Sequence, residues 1–397
     1  MTRMTSTGKA SASPVARLAA ELIRCPSVAP ADAGAQARMA PRLAALGFAV
    51  HPIMVDGVRS FWALRGTDGP VFAFAGHSDV VPPGDEAQWT APPFTPEIRD
   101  GRLYGRGAAD MKGPLAAVIV ALERFLAACP APPFRLLVLI AGDEEPEHNH
   151  GTRDLLERLR REGLAPDCCL VPEPVSRTQL GDTLLVGRRG SMHGHLTVRG
   201  VQGHSAHPGS ARNPIAEALP VLLELSRTQW DEGTDAFPPT SFQWTNLHSG
   251  VGAANVTPGV LEAQFNLRFS DAPGEAALRE RIEAVLRGRL TDWELRWSCD
   301  ARPFLSRRGW LTETVSRVVE TIAGRKPVPA TDGGTSDARF IAPTGAEVVE
   351  FGLVGATGHQ VDESVSLAEL ETLTAIYQEI LATLAADLTA GREPFAQ

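Results

Sequence analysis

The apolar pattern of this chain changes character once and then changes back, and the interruption limits the folds open to it. Short apolar runs, "VFAFAG" (71–76), "FRLLVLIAG" (134–142) and "CCLV" (168–171), read as buried strands. Between them, "GPLAAVIVALERFLAAC" (113–129) is apolar nearly all round, and "TRDLLERLRREG" (152–163) is an amphipathic helix stopped by Gly163. This alternation predicts an α/β fold with a mixed, largely parallel sheet flanked by helices. From about Ser191 to Cys299 the order is different: strand "SMHGHLTVRG", helix 213–227, strands near "TSFQWTNLHSG" and "GVLEAQFNLRFS", helix "GEAALRERIEAVLRGRL", strand "WELRWSC". That β-α-β-β-α-β order predicts a ferredoxin-like α+β domain. It is inserted, because the α/β pattern resumes after about Arg302 with "AEVVEFGLVG" (346–355). The expected division is 1–190 and 303–397 for the larger domain and 191–302 for the insert; 397 residues suffice for two cores.

Charge and cysteine usage narrow the partners. A net charge of −9 with no basic block gives no electrostatic footprint for nucleic acid, and no stretch reaches the length of a membrane span. Five cysteines (Cys25, Cys129, Cys168, Cys169, Cys299), an odd number without a C-x-x-C pair, fit reduced thiols and a cytoplasmic location. The N-terminal segment lacks the apolar core of a secretory signal and reads as a disordered tail entering a helix from Pro14 to about Arg24; an organellar transit peptide is the weaker reading.

Chemistry-bearing residues gather just beyond the carboxyl ends of the predicted strands, where ligands bind in open α/β sheets. "VFAFAG" runs into His77 and Asp79, "FRLLVLIAG" into Asp143, Glu144 and Glu145, "CCLV" into Glu173, and "EVVEFGLVG" towards His359. Asp110, in "DGRLYGRGAADMKG", lies just ahead of a helix and is placed to join them. Each has a bland alternative: His77 as an ordinary loop histidine, "GDEEP" as a solvated acidic turn before a helix, Glu173 as part of a rigid Pro-flanked turn. The joint placement favours metal. Two imidazoles and several carboxylates suit Zn²⁺, with Co²⁺ or Mn²⁺ as substitutes, and exceed what one open tetrahedral ion needs. Two ions about 3.5–4 Å apart, sharing a carboxylate, would use them all. A Ser or Cys nucleophile has less support: there is no G-x-S-x-G elbow, and neither a dinucleotide fingerprint nor a P-loop is present.

The segments "FAGHSDVVPPGD", "DGRLYGRGAADMKG", "GDEEPEHNHGT", "VPEP", "GRRGS", "GVQGHSAHP", "NVTPG", "FNLRFS", "GGTSDARFIAPTGAEVVEFG" and "GHQVDE" together resemble the M20 metallopeptidase family, in order over nearly the whole chain. The resemblance implies a zinc exopeptidase-like catalytic domain with a lid domain that dimerises, and two zinc ions per subunit, replaceable by cobalt. One ion would be held by His77 and Glu173, the other by Glu145 and His359, with Asp110 bridging. Asp79 would orient His77, and Glu144 would carry the proton from the attacking water to the leaving amine. His204 would stabilise the oxyanion from a partner subunit. Arg188, Ser191, Asn255, Arg268 and Thr335 would bind a small dianionic acyl-amino acid, and the resemblance implies hydrolysis of N-succinyl-LL-2,6-diaminopimelate. Acetylornithine deacetylation, a carboxypeptidase-like activity, and an inactive metal-binding scaffold are the alternatives. In "AGDEEPEHNHG", Asp143 is expected to be a supporting neighbour and His148 and His150 solvated bystanders. Two positions depart from the family pattern: Gly355, where Asn is frequent, and His207, where an aromatic is expected.

Overall fold

Runs that are apolar at every position become strands that are covered on both faces. A computed structural model describes residues 13–146 and 150–395. Residues 1–12, read above as a disordered tail, and His148 lie outside the described residues. Val71–His77 is buried at all its positions and pairs in parallel with Arg135–Ala141 on one side and Cys168–Val171 on the other; Cys168–Val171 in turn pairs in parallel with Glu347–Glu350. These four strands are the centre of an eight-stranded sheet. The strands that flank these four are antiparallel to their neighbours: Val58–Arg65 joins Arg135–Ala141, and Thr183–Leu185 joins Glu347–Glu350.

The edge beyond Val58–Arg65 is a hairpin that sequence pattern did not reveal. Ala49–Val55 folds back on Val58–Arg65 through Asp56 and Gly57, both with positive φ (49° and 83°), the geometry of a two-residue hairpin turn. His51 and Pro52 break the apolar alternation, and Pro is tolerated because the strand is at the sheet edge.

The helix Gly113–Ala128 is buried nearly all round because it is packed against Pro14–Ile23 and Leu367–Thr389 as well as the sheet. Tyr377, in the last of these helices, donates its hydroxyl to the carbonyl of Phe351 at 2.6 Å, anchoring the helix to the end of a central strand.

The chain divides into two compact units. The first comprises the described residues of Met1–Val186, Ser306–Pro329 and Ser336–Gln397; the second comprises Gly187–Leu305 and Ala330–Thr335. The second unit thus starts and ends a few residues outside the limits read from sequence and takes back a short later segment. Its sheet has the order Ser241–Ser249, Val260–Phe269, Gly190–Arg199, Trp293–Ala301, all antiparallel. Val260–Phe269 alternates buried and exposed positions, and the buried set packs with residues of helices Pro214–Arg227 and Gly274–Arg289 into a separate core. One covered face explains the alternation.

Candidate metal centre

Parallel strands deliver side chains to a common edge of the sheet. His77 is the last residue of its strand and 1% exposed. Glu144 and Glu145 follow Arg135–Ala141, and Glu173 follows Cys168–Val171. Asp110 comes from an irregular turn between Gly107, at φ 85°, and the helix that begins at Gly113. His359 arrives from a loop after Glu347–Glu350 with its own φ at 62°.

These residues converge as two triads that share Asp110. His77 Nε2 lies 3.2 Å from Asp110 Oδ1 and 3.8 Å from Glu173 Oε1. His359 Nε2 lies 3.3 Å from Asp110 Oδ2 and 3.2 Å from Glu145 Oε1. In each triad the donor atoms are within 4.8 Å of one another. Asp110 therefore offers one oxygen to each side, the arrangement of a bridging carboxylate.

The electrostatics of this donor set fit cations. Asp110 and then Glu145 push the His359 imidazole up to about 10. At His77 burial works to lower the pKa, but Asp110 and Asp79 outweigh it and raise it well above the ordinary value. Burial likewise opposes the charge of Asp110, yet His359 and His77 hold its carboxyl below the usual range. Glu173 is pushed up by burial and then by the Asp110 charge. The carboxylates that favour the charged form of each imidazole would also attract a metal cation. Oδ1 of Asp110 is buried without a well-formed hydrogen bond, which a coordinated cation would relieve.

Asp79 does more than sequence suggested. His77 Nδ1 is 3.1 Å from the carbonyl oxygen of Asp79 and 3.4 Å from its Oδ1, so Nδ1–H has its acceptor and Nε2 faces the ligand set. The same carboxylate accepts the backbone N–H of Glu144 and of Glu145, each at 3.1 Å. One buried aspartate thus fixes the strand-end histidine and the acidic pair together. Glu144 is pushed well above the ordinary carboxyl range, by burial first; His77 opposes this, and Asp337, Glu145 and Asp110 add to it.

The neighbours of the acidic pair have structural tasks. Asp143 accepts from the N–H groups of His150 (2.9 Å) and Gly151 (2.8 Å), capping the helix Gly151–Arg161. His150 faces Arg153 at 2.7 Å and joins neither triad.

The residues assigned to substrate lie in the second unit. Arg188 is buried on a short strand paired with Phe304–Leu305, and its Nη1 donates to the carbonyl of Gly334, next to Thr335. Ser191 stands opposite Arg268 across neighbouring strands, and Asn266 links them: its Nδ2 donates to Ser191 Oγ at 3.1 Å, and its Oδ1 accepts from Arg268 Nε at 3.2 Å. Burial and then the Arg189 charge lower the pKa of Arg268, a situation that an anion relieves. His204 pairs with Val256 on a two-stranded ladder, and Ser205 N–H donates to the carbonyl of Asn255, so the two candidates are neighbours. His207 places its ring 5.5 Å from that of His204.

Three residues of the site escaped the sequence reading. Glu363 accepts from the N–H groups of Gly107, Ala109 and Asp110, and Arg106 pairs with it. Asp337, raised to about 6 by burial, with Thr152 and Arg339 opposing, accepts from Thr152 at 2.6 Å and adds to the field on Glu144. Their only signal was position within the segments "GRGAADMKG", "GHQVDE" and "GGTSD". Gly355, one of the departures noted above, is enforced locally: a Cβ there would lie 2.2 Å from the carbonyl oxygen of Pro174.

Comparison with known proteins gives consistent results. The model of peptidase family M20/M25/M40 matches residues 73–383. The succinyl-diaminopimelate desuccinylase of Alkalilimnicola ehrlichii is 52% identical over 367 residues, covering 92% of this chain and 98% of the relative. That of Stutzerimonas stutzeri is 50% identical over 375 residues, covering 94% and 98%. Among solved structures, an M20 family metallo-carboxypeptidase from Sulfolobus solfataricus superposes with a TM-score of 0.78 at 16% identity, over 94% of this chain and 100% of the other. A dinuclear metal-binding M20 peptidase from Bacillus subtilis does so with a TM-score of 0.68 at 17% identity, over 94% and 97%. At these identities the structural likeness concerns the fold.

Proposed function

Since the chain belongs to peptidase family M20/M25/M40, we propose that it is a dinuclear zinc amidohydrolase that cleaves N-succinyl-LL-2,6-diaminopimelate into succinate and LL-2,6-diaminopimelate. The observation that carries the chemistry is the pair of donor triads sharing Asp110, with Glu144 adjacent. The substrate rests on relatives at 50–52% identity that span more than nine-tenths of the chain.

His77 and Glu173 would hold one ion, Glu145 and His359 the other, and Asp110 both. Bound there, zinc would supply Lewis acidity, acidifying water and polarising the amide carbonyl. Glu144 takes a proton from the attacking water as the carbon–oxygen bond forms, then gives it to the amine nitrogen as the carbon–nitrogen bond breaks. Its raised pKa suits a group that must both accept and return a proton. Asp79 keeps the proton of His77 on Nδ1, leaving Nε2 as the ligand atom. His204 donates to the developing oxyanion, and Arg188 and Arg268 grip substrate carboxylates, with Ser191, Asn255 and Thr335 as further polar contacts.

We place the enzyme in the cytoplasm as a homodimer formed through the second unit. All five cysteines are free, and no helix among the described residues is long and apolar enough to cross a membrane. Leu219 and Leu223 project from one face of Pro214–Arg227, and Leu247 from the edge strand Ser241–Ser249, each about half exposed. An apolar face beside an open strand edge is what a second copy would cover.

The test is removal and return of metal. Chelation should abolish succinate release, and about two equivalents of zinc per chain should restore it; full activity without metal would refute the proposal.

A further inference from the structure

The two halves of the centre are held very differently. His77 and Glu173 stand at the ends of buried parallel strands. His359 lies in a loop, in the left-handed backbone region, with its side chain 52% exposed. Something other than packing must keep its Nε2 beside Asp110.

The buried pair Arg106–Glu363 is built to do that. The two residues are 257 positions apart, 2% and 1% exposed, and joined Nη1 to Oε2 at 2.8 Å. Glu363 Oε1 accepts from the N–H groups of Ala109 (2.7 Å) and Asp110 (3.0 Å), and Oε2 from Gly107 (2.9 Å). On the other side Arg106 donates from Nη1 to the carbonyl of Gln360 (3.2 Å) and from Nη2 to that of His359 (3.4 Å). One ion pair therefore ties the backbone of Asp110 to the backbone of His359. The Trp89 ring covers the guanidinium at 5.1 Å, which keeps it desolvated and in place. A buried ion pair is weak as a stabiliser, since well-packed apolar residues serve as well, whereas its directed hydrogen bonds fix geometry.

We propose that Arg106 and Glu363 are positioning residues for the metal position formed by Asp110, Glu145 and His359, and that the His77–Glu173 position depends on them far less. The inference rests on the dinuclear reading above. Partners that orient ligands typically change metal affinity by roughly 10–100-fold when lost. The test is zinc binding to the full chain, by calorimetry and chelator competition, for the wild type, Glu363→Gln and Arg106→Lys, with circular dichroism to verify folding. Both variants should keep one zinc within about twofold of wild-type affinity and bind the second roughly 10–100-fold more weakly. Their kcat should recover at high zinc with KM unchanged. Two zincs bound as tightly as in the wild type would overturn the proposal; equal weakening of both, or failure of both variants to fold, would show a general structural role and also overturn it. A wild type that binds fewer than two zincs would instead refute the dinuclear reading beneath it.

Discussion

Glu144 and Glu145 are chemically identical neighbours that the fold sets in different surroundings. Both backbone N–H groups are pinned by Asp79, so successive side chains diverge: Glu145 reaches His359, while Glu144 is half-buried with its carboxyl pushed well above the ordinary range, by desolvation first. Glu144→Ala should keep two metals bound and lower kcat by roughly 10²–10⁴-fold, the usual contribution of a general acid/base; metal content and steady-state kinetics on one preparation check this. The residues that converge in the two triads were legible as candidates because metal-binding residue types stood just past apolar runs, where an α/β sheet exposes its strand ends. Arg106, Glu363 and Asp337 were not legible in that way. Their partners are backbone groups and side chains brought together only by folding, and sequence spacing carries no trace of a bond across 257 positions.

At the scale of elements, the central strands and the inserted β-α-β-β-α-β unit were readable because burial on two faces, or on one, writes a distinct pattern. The hairpin Ala49–Arg65 and the helices Ala35–Ala45, Trp310–Ala323 and Leu367–Thr389 went unpredicted. The hairpin is edge structure whose His51 and Pro52 interrupt the period, and Ala35–Ala45 carries Pro41 inside it. Trp310–Ala323 has no side-chain cap at its own N-cap position, Gly309, a reason its start is hard to read. Its cap comes from a distant strand: Glu347 accepts from the N–H groups of Gly309, Leu311 and Thr312 and from the Thr312 hydroxyl. Glu347→Ala would strand buried donors and should cost about 2–3 kcal/mol in urea unfolding, with kcat unchanged in the folded enzyme. A carboxylate that closes a loop gives a pH signature. Partial burial works to raise the Asp182 carboxyl, but the N–H groups of Arg177, Thr178 and Gln179 outweigh it and hold it below the usual range. A carboxyl depressed in the folded state stabilises above its unfolded pKa of about 4 and loses that contribution as pH falls below it. The stability gap between wild type and Asp182→Asn should therefore be full at pH 6 and shrink on acidification below about pH 4.

For the whole molecule, the residues that the proposed function uses are divided between the two units. The unit with the mixed, largely parallel sheet carries every metal-binding candidate, and the inserted unit carries the arginines, His204 and an apolar outer face. If the second unit dimerises as proposed, replacing Leu219 and Leu223 by glutamate should give a monomer in light scattering, since two charges per subunit would have to be buried in the interface. If His204 acts across that interface, the monomer should bind zinc normally and lose most of its kcat. The most direct measurement of the account as a whole is succinate release from N-succinyl-LL-2,6-diaminopimelate by the two-zinc protein, set beside deacetylation of acetylornithine under the same conditions. The kcat/KM for the succinyl substrate should be at least about 100-fold higher, roughly the limit of a purely apolar pocket and well within the reach of buried polar recognition. Preference for acetylornithine, or no turnover of the succinyl substrate by folded protein carrying two zincs, would contradict it.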